Sequence, residues 1–412
     1  MNIKHTAVCI IGAGPAGAAA ALQLHQYGIA CTVVDKAVFP RDKVCGDGLS
    51  GKVITLLDRI DPAITGRLRE MQAKTDSWGV TFVASNRASL NIPYRVKDDG
   101  LAPGLVCKRM DFDNFLVEEM KRCSHIELIQ GQAVDQYTLQ EDGYLIADSK
   151  SGFRIKAQLL IVANGAHSGF TKDVAGIHME ASHYCAGLRS YYKNVSGLDE
   201  NGYIELHFLR SLLPGYFWIF PLPGGEANVG IGILSEIARK KKLNLKKLLL
   251  ETIATDPVLK ERFKDAELCG SIDGYGLPLG SKKRGLSGER YMLAGDAGHL
   301  IDPFTGEGIG NALYSGRYAA EQAQQAILAN NFSAAQLKAY DEMIYHKLGP
   351  ELKLSSRLQK LVRRPWLFNY LLKLGMGNKQ LRELMACMFY ELDLRKKLTR
   401  PAFYLKLLLN RN

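Results

Sequence analysis

Apolar positions fall along this chain in short runs that end abruptly at glycine. Residues 7–11 form one such run, which stops at Gly12-Ala13-Gly14-Pro15-Ala16-Gly17. Residues 18–26 then read as a helix and Cys31–Val34 as a second strand. Residues 6–26 carry no Asp, Glu, Lys or Arg and follow Lys4, so by charge alone they imitate an export signal or a membrane span. Gly12, Gly14, Pro15 and Gly17 would break a spanning helix in its middle, whereas a strand, a tight turn and a helix use all four, so both readings are rejected. Residues 159–163 predict another buried strand, ending in Asn164-Gly165-Ala166-His167-Ser168. Tyr291–Leu293 leads into Ala294-Gly295-Asp296-Ala297, and Thr305-Gly306-Glu307-Gly308-Ile309-Gly310 then opens a helix to about residue 328. Between these segments Tyr216, Trp218 and Phe220 alternate with Phe217 and Ile219, so on a strand the three rings share one face. Lys240, Lys241, Lys242, Lys246 and Lys247 beside Leu245, Leu248, Leu249 and Ile253 predict a surface helix with a solvated basic face.

The first glycine turn has a chemical reading. Its glycines allow a tight turn, close approach of the backbone to a pyrophosphate, and close packing of helix on strand. The following helix presents unpaired N–H groups and a positive dipole end to the phosphates. Asp35 stands about 20 residues further on, where a carboxylate accepts hydrogen bonds from an adenosine ribose. NAD and FAD both use such a unit, so the turn alone leaves the cofactor open.

The second half of the chain narrows it. The strand, acid, glycine turn and helix around Asp296 and Gly306 resemble the ribityl-binding segment of FAD-dependent enzymes of the aromatic hydroxylase superfamily. Arg109-Met110-Asp111-Phe112-Asp113-Asn114-Phe115-Leu116 matches the R-x-x-F-D-x-x-L pattern of the same superfamily, where the arginine resembles a cofactor contact. Asn164 departs from type: the superfamily usually has Asp-Gly at this turn, and losing that charge bears on direct reduction by NAD(P)H. Two segments point to one branch. Pro40-Arg41-Asp42-Lys43-Val44-Cys45-Gly46-Asp47-Gly48 resembles the P-R-x-K-x-C-G-G loop of the geranylgeranyl reductase family, with Asp47 replacing the second glycine. Tyr216-Phe217-Trp218-Ile219-Phe220-Pro221, followed by Gly230-Ile231-Gly232, reproduces that family's Y-x-W-x-F-P then G-x-G pattern.

The resemblance implies an α/β fold: a discontinuous Rossmann-like FAD-binding domain, a second mixed-sheet substrate domain and a C-terminal helical region. It implies FAD contacts at Gly12, Gly14, Ala16, Gly17, Asp35, Lys36, Cys45, Gly46, Arg109, Val134, Gly165, Asp296, Gly306, Gly308 and Ile309. Tyr216, Trp218 and Phe220 become an apolar wall for a hydrocarbon chain. Cys45 is the candidate catalytic residue, because its loop sets a thiol between the Lys43 cation and flexible glycines. The implied activity is FAD-dependent saturation of C=C bonds in a geranylgeranyl-type prenyl chain on a lipid, quinone or pigment precursor. The electron donor is open between NAD(P)H and a reduced carrier. An isolated trisubstituted alkene accepts hydride poorly, so the site must also supply a proton, in a dry pocket. The competing readings are a flavin monooxygenase or halogenase and a non-catalytic flavin-binding or electron-passing protein. Halogenases of the superfamily carry W-x-W-x-I-P where this chain has Tyr216, Trp218 and Phe220-Pro221, which argues against that version.

Composition sets the frame. The chain has 412 residues, 47% of them hydrophobic and 23% charged, enough apolar material for two or three domains and too little polarity for extensive disorder. The interleaved motifs predict a flavin domain from residues 1–75, 101–178 and 286–330, a substrate domain from 76–100 and 179–285, and a basic helical region from 331 to 412. The eight cysteines include no C-x-x-C pair and no metal-binding spacing with histidine, which suits a reducing cytoplasmic setting and predicts no metal site. The net charge of +11 sits in the tail: residues 351–412 hold 14 Lys and Arg against 4 Asp and Glu. There Arg363-Arg364 stand beside Trp366-Leu367-Phe368 and Tyr370-Leu371-Leu372, and Arg395-Lys396-Lys397 precede Phe403-Tyr404 and residues 405–409. Cations among aromatic and leucine clusters suit an anionic membrane surface, so the chain is expected in the cytoplasm, peripheral on the inner face of a membrane. Nucleic acid binding is not expected, since no reading motif accompanies the charge.

Overall fold

The computed structural model describes residues 3–96, 100–378, 381, 382 and 385. The segment Arg395 to residue 409, part of the expected membrane surface, lies outside the described residues.

The strands read from apolar runs assemble into a largely parallel sheet. Its path runs Ser287–Gly288, Tyr291–Leu293, Arg154–Val162, Lys4–Ile11, Cys31–Val34, Ile126–Ile129. Register explains why motifs some 280 residues apart act together. Ile11 pairs with Val162 and with Val34, and Val162 pairs with Leu293, so the strands end level at one edge of the sheet. The turns that follow them, at Gly12, Asn164-Gly165 and Gly295-Asp296, therefore emerge side by side, at the carboxyl ends of parallel strands where open α/β sheets bind ligands. Gly12 holds a left-handed φ of 106°, and a Cβ there would come within 2.5 Å of the Ala163 carbonyl oxygen. Only glycine lets the first turn pass the neighbouring strand so closely.

Helix Pro15–Gln26 follows the turn, and its alanine-rich body is buried from Pro15 to Leu24. Small side chains let it lie against the long helix Ile309–Leu328: a Cβ on Gly316 would fall 2.0 Å from the Ala16 carbonyl oxygen. The charge-free stretch 6–26 is thus a strand, a turn and a core helix. Among the described residues no helix is long and apolar enough to cross a membrane.

A second sheet has the order Glu267–Pro278, Tyr184–Lys193, Glu226–Leu234, Tyr216–Pro221, Ile204–His207, Gly79–Val83, Ser89–Pro93. Alternation splits its two faces. Phe217, Ile219, Val229 and Ile231 pack with Leu249 and Leu259 of the helices Leu245–Thr255 and Pro257–Arg262. Trp218 and Phe220 join a different cluster, with Leu206, Phe304 and Phe368. Gly48–Leu49, Gly104–Cys107 and Lys74–Ser77 form a third, small sheet.

The helices beyond residue 331 are built into both cores. Leu337, Tyr340, Ile344 and Leu352 belong to the flavin-side cluster, while Val362, Phe368 and Leu372 belong to the cluster of Trp218. A buried ion pair fixes the junction. Lys52 Nζ, 2% exposed, lies 3.0 Å from Glu351 Oε1 and donates to Asn311 Oδ1 at 2.8 Å, joining helices Gly51–Ile60, Gly349–Leu361 and Ile309–Leu328. Helix Pro365–Gly377 buries Phe368 and Leu372 and leaves Trp366, Tyr370 and Leu374 exposed at four-residue spacing, near exposed Arg363, Arg364 and Lys373.

Candidate functional site

One cavity of about 690 Å³ runs from the first glycine turn to the aromatic strand. At its first end lie Gly12, Gly14, Ala16, Asp35, Lys36 and Val134. Asp35 uses both carboxylate oxygens: Ala13 N–H donates to one at 2.7 Å and Ala37 N–H to the other at 2.8 Å. The acid is therefore fixed at the strand end with lone pairs left for a hydroxyl-bearing ligand. Gly17 corrects the expectation of direct cofactor contact. It does not line the cavity but lies beneath the turn, where a Cβ would sit 1.8 Å from the Gly12 carbonyl oxygen, so its task is helix-to-turn packing.

The middle of the cavity collects Cys45, Gly46, Arg109, Gly165 and Asp296, with Gly306, Gly308 and Ile309 at the start of the long helix. Arg109 is 3% exposed and holds Asp113 through two hydrogen bonds of 2.6 Å. Arg41 Nη1 reaches the same carboxylate at 2.7 Å. Burial opposes the charge on Asp113, yet the two guanidiniums outweigh it and hold the carboxyl below its ordinary value. Arg109 is thus clamped from behind, and its guanidinium interacts electrostatically with Cys45. Here the structure changes the expected picture: the cation at the thiol is Arg109, while Lys43 turns to Asp296 at 3.4 Å and over the Tyr275 ring at 4.5 Å. Asn164 also lines the cavity, and its side-chain oxygen is buried without a hydrogen-bond partner.

The far end is the aromatic wall. Tyr216, Trp218 and Phe220 all line the cavity, as do Tyr94 and, from the small sheet, Leu49 and Leu105. The G-x-G partner of the wall has a steric reason. Trp218 pairs with Gly230 and Tyr216 with Gly232 across adjacent strands, and a Cβ on Gly230 would lie 2.2 Å from the indole carbon Cζ2. The cysteine loop passes edge-on to the wall, since a Cβ on Gly46 would meet Phe220 at 3.1 Å. Tyr216 OH donates to the Thr305 carbonyl, tying the wall to the loop before the long helix. Burial pushes the Tyr216 hydroxyl well above its ordinary range, so it stays protonated.

A polar network beneath these groups was not foreseen as a unit. Trp218 Nε1 donates to Asn228 Oδ1 at 2.8 Å, and Asn228 Nδ2 donates to the Cys45 carbonyl at 2.8 Å and to Asp47 Oδ2 at 2.7 Å. Asp47 also accepts from Tyr191 OH at 2.7 Å and from Arg109 N–H at 3.2 Å. Asp47 was legible as a departure from a glycine pattern; Asn228 lies two residues before Gly230 and carries no local signal.

The residues present fit FAD. The fixed Asp35, the glycine turn that a Cβ would fill, the unsatisfied Asn164 oxygen and the glycine-rich start of the long helix, where the Glu307 side chain takes only the Gly310 N–H, form a donor and acceptor set spread along one cavity.

Comparison with known proteins agrees. Residues 5–209 match the FAD binding domain family and residues 184–268 match the geranylgeranyl reductase catalytic domain family. A menaquinone reductase of Mycolicibacterium smegmatis is 31% identical over 322 residues, covering 76% of this chain and 75% of that protein. Digeranylgeranylglycerophospholipid reductase 3 of Methanosphaera stadtmanae is 30% identical over 359 residues, covering 86% of each. The crystal structure of a geranylgeranyl bacteriochlorophyll reductase-like protein from Thermoplasma acidophilum superposes with a TM-score of 0.81 at 21% identity, covering 96% of this chain and 99% of that one, which establishes the fold.

Proposed function

This chain belongs to the geranylgeranyl reductase family of FAD-dependent oxidoreductases, and from that premise we propose that it saturates C=C bonds of a prenyl chain carried on a lipid or quinone. The observation that carries the reading is the continuity of one cavity from the dinucleotide turn to a wall of Tyr216, Trp218 and Phe220. Bound FAD would supply the hydride for reduction of the alkene. Gly12, Asp35, Asp296, Gly306 and the start of helix Ile309–Leu328 would hold it, the helix N-terminus favouring negative charge on whatever lies against it.

The protein's own part is to exclude water, orient the chain and hold protons. Trp218 and Phe220, each 8% exposed, give an apolar surface against which a hydrocarbon is seated without losing hydrogen bonds. Cys45 lines the same cavity as Arg109 and is the residue to test for direct participation. Anaerobic incubation of dithionite-reduced holoenzyme with geranylgeranyl lipids and quinones, followed by mass spectrometry, tests the function. Gain of two hydrogens per bond supports it; turnover only with oxygen would make the protein a monooxygenase instead.

We further infer that helix Pro365–Gly377 rests on an anionic lipid surface at the cytoplasmic face. In support, Trp366 is 64% exposed and Tyr370 51% exposed beside basic residues, and the buried Phe368 of the same helix packs 4.4 Å from Phe208, which packs 5.6 Å from Tyr216 of the wall. The substrate wall is thereby two rings from the exposed helix. Flotation with anionic vesicles, lost at high salt, is expected; no flotation with any lipid composition would end this part of the reading.

A further inference from the structure

Asp47, in the cysteine loop, has no part in the function proposed above, and its setting is costly. It is fully buried, with a left-handed φ of 64° that side chains rarely adopt, at the position where the resembling pattern has glycine. A buried carboxylate in strained backbone survives where its contacts do something for the fold or the site.

Its contacts converge on the site. Asp47 Oδ2 holds Asn228 Nδ2, and Asn228 in turn holds the Cys45 carbonyl and the Trp218 indole. Asn228 has one amide to share among these partners, so its orientation is set by which groups accept from it. An ionised Asp47 accepts from Asn228 and Tyr191 on Oδ2 and from the Arg109 N–H on Oδ1; a proton on either oxygen meets only donors, so the network has to reorganise. The coupling thus runs from the carboxylate through a single side chain to both the substrate wall and the thiol-bearing loop.

Resting on the prenyl reductase reading, we propose that Asp47 is a positioning residue for the reaction: through Asn228 it sets the orientation of the Trp218 indole and of the Cys45 loop, and so the seat of the alkene. The charged and titratable groups facing it are Arg109 on the helix Arg109–Lys121, Tyr191 and Arg189 on the strand Tyr184–Lys193, and Cys107 on the strand Gly104–Cys107. Burial, partly offset by Tyr191, Asn228, Arg189 and Arg109, pushes the carboxyl up to about 6, so the arrangement switches within an accessible pH range.

The chain has three tryptophans, Trp78, Trp218 and Trp366, so indole-labelled holoenzyme gives three indole N–H resonances, assigned by Trp218→Phe. The Trp218 resonance is expected to titrate with a midpoint near pH 6. Asp47→Asn should abolish that titration and raise KM for a prenyl substrate about tenfold with kcat little changed, the size of one hydrogen bond lost behind the wall. Asp47→Gly, which relieves the backbone strain, serves as the second variant and should also abolish the titration. A Trp218 resonance that is silent between pH 5 and 8 in the folded native holoenzyme overturns the role, as does a titration that persists in either variant. The resonance reads the coupling independently of turnover, so failure of alkene reduction in the native enzyme would refute the function and leave this result separate.

Discussion

Asp47→Asn makes a second, thermodynamic test possible, because the buried carboxylate should tax the native state at neutral pH. Its native pKa of about 6 lies above the ordinary 3.8, so protonation favours the folded protein. The sign follows: the contribution is fully stabilising below 3.8 and is lost as pH rises through 6. At pH 8 the ionised group costs about 3 kcal/mol relative to its protonated form, from about 1.4 kcal/mol per pKa unit. At pH 5 part of that cost is already present, about 1.6 kcal/mol, so the change between pH 5 and 8 is about 1.4 kcal/mol. Backbone strain and the hydrogen bonds of the replacement amide are independent of pH and cancel when the two proteins are compared across it. Urea unfolding of both proteins at pH 5 and pH 8 should show the variant gaining about 1.4 kcal/mol on the native protein as pH rises. A stability difference that stays constant, or moves the other way, would refute a carboxyl titrating near 6 in the fold.

Three other outcomes test the remaining architecture. Removing one partner of the buried pair, by Lys52→Met or Glu351→Leu, should lower unfolding stability by about 3 kcal/mol, whereas the two together should recover most of it, as read by a double-mutant cycle in urea. Gly230→Ala should destabilise by about 1–3 kcal/mol in thermal melts, because its Cβ would lie 2.2 Å from both the Leu188 carbonyl oxygen and Trp218, while Gly232→Ala, with 3.8 Å to Trp218, should be tolerated. Cys45→Ala should slow single-turnover alkene reduction at least about tenfold if the thiol acts on the reacting bond; an unchanged rate would leave the loop a purely architectural role.

Much of this architecture is legible in the sequence for a physical reason: strands buried on both faces write themselves as continuous apolar runs, and turns that pass close to a neighbour write themselves as glycine. Residues 7–11, Cys31–Val34, Tyr216–Pro221 and Tyr291–Leu293 fall where the pattern puts them, and the long helix begins at Ile309. The aromatic alternation also reads correctly, since Phe217 and Trp218 enter different cores. What the pattern does not contain is pairing between distant side chains. Gly17 sits in the fingerprint with Gly12 and Gly14, which line the cavity, yet packs beneath the turn. Lys43 is the nearest cation to Cys45 along the chain, but Arg109, 64 positions away, is the one at the thiol. Asn228 is polar in an apolar strand and discloses its purpose only when Trp218, Cys45 and Asp47 are seen around it. The basic tail likewise looks like an appendage until Glu351 is found buried against Lys52.

The level ends of the strands Lys4–Ile11, Arg154–Val162 and Tyr291–Leu293 also set a timetable for biogenesis. A ribosome must deliver the first 293 of 412 residues before the last of these strands exists, and Tyr340, whose hydroxyl anchors the Leu293 carbonyl at 2.8 Å, arrives later still. Until then the nascent chain holds separate fragments of a flavin cradle, and the apolar strands awaiting their neighbours are the surfaces a chaperone must cover. Cofactor capture therefore belongs to the end of synthesis, and fragments ending before the third strand should emerge from expression without colour.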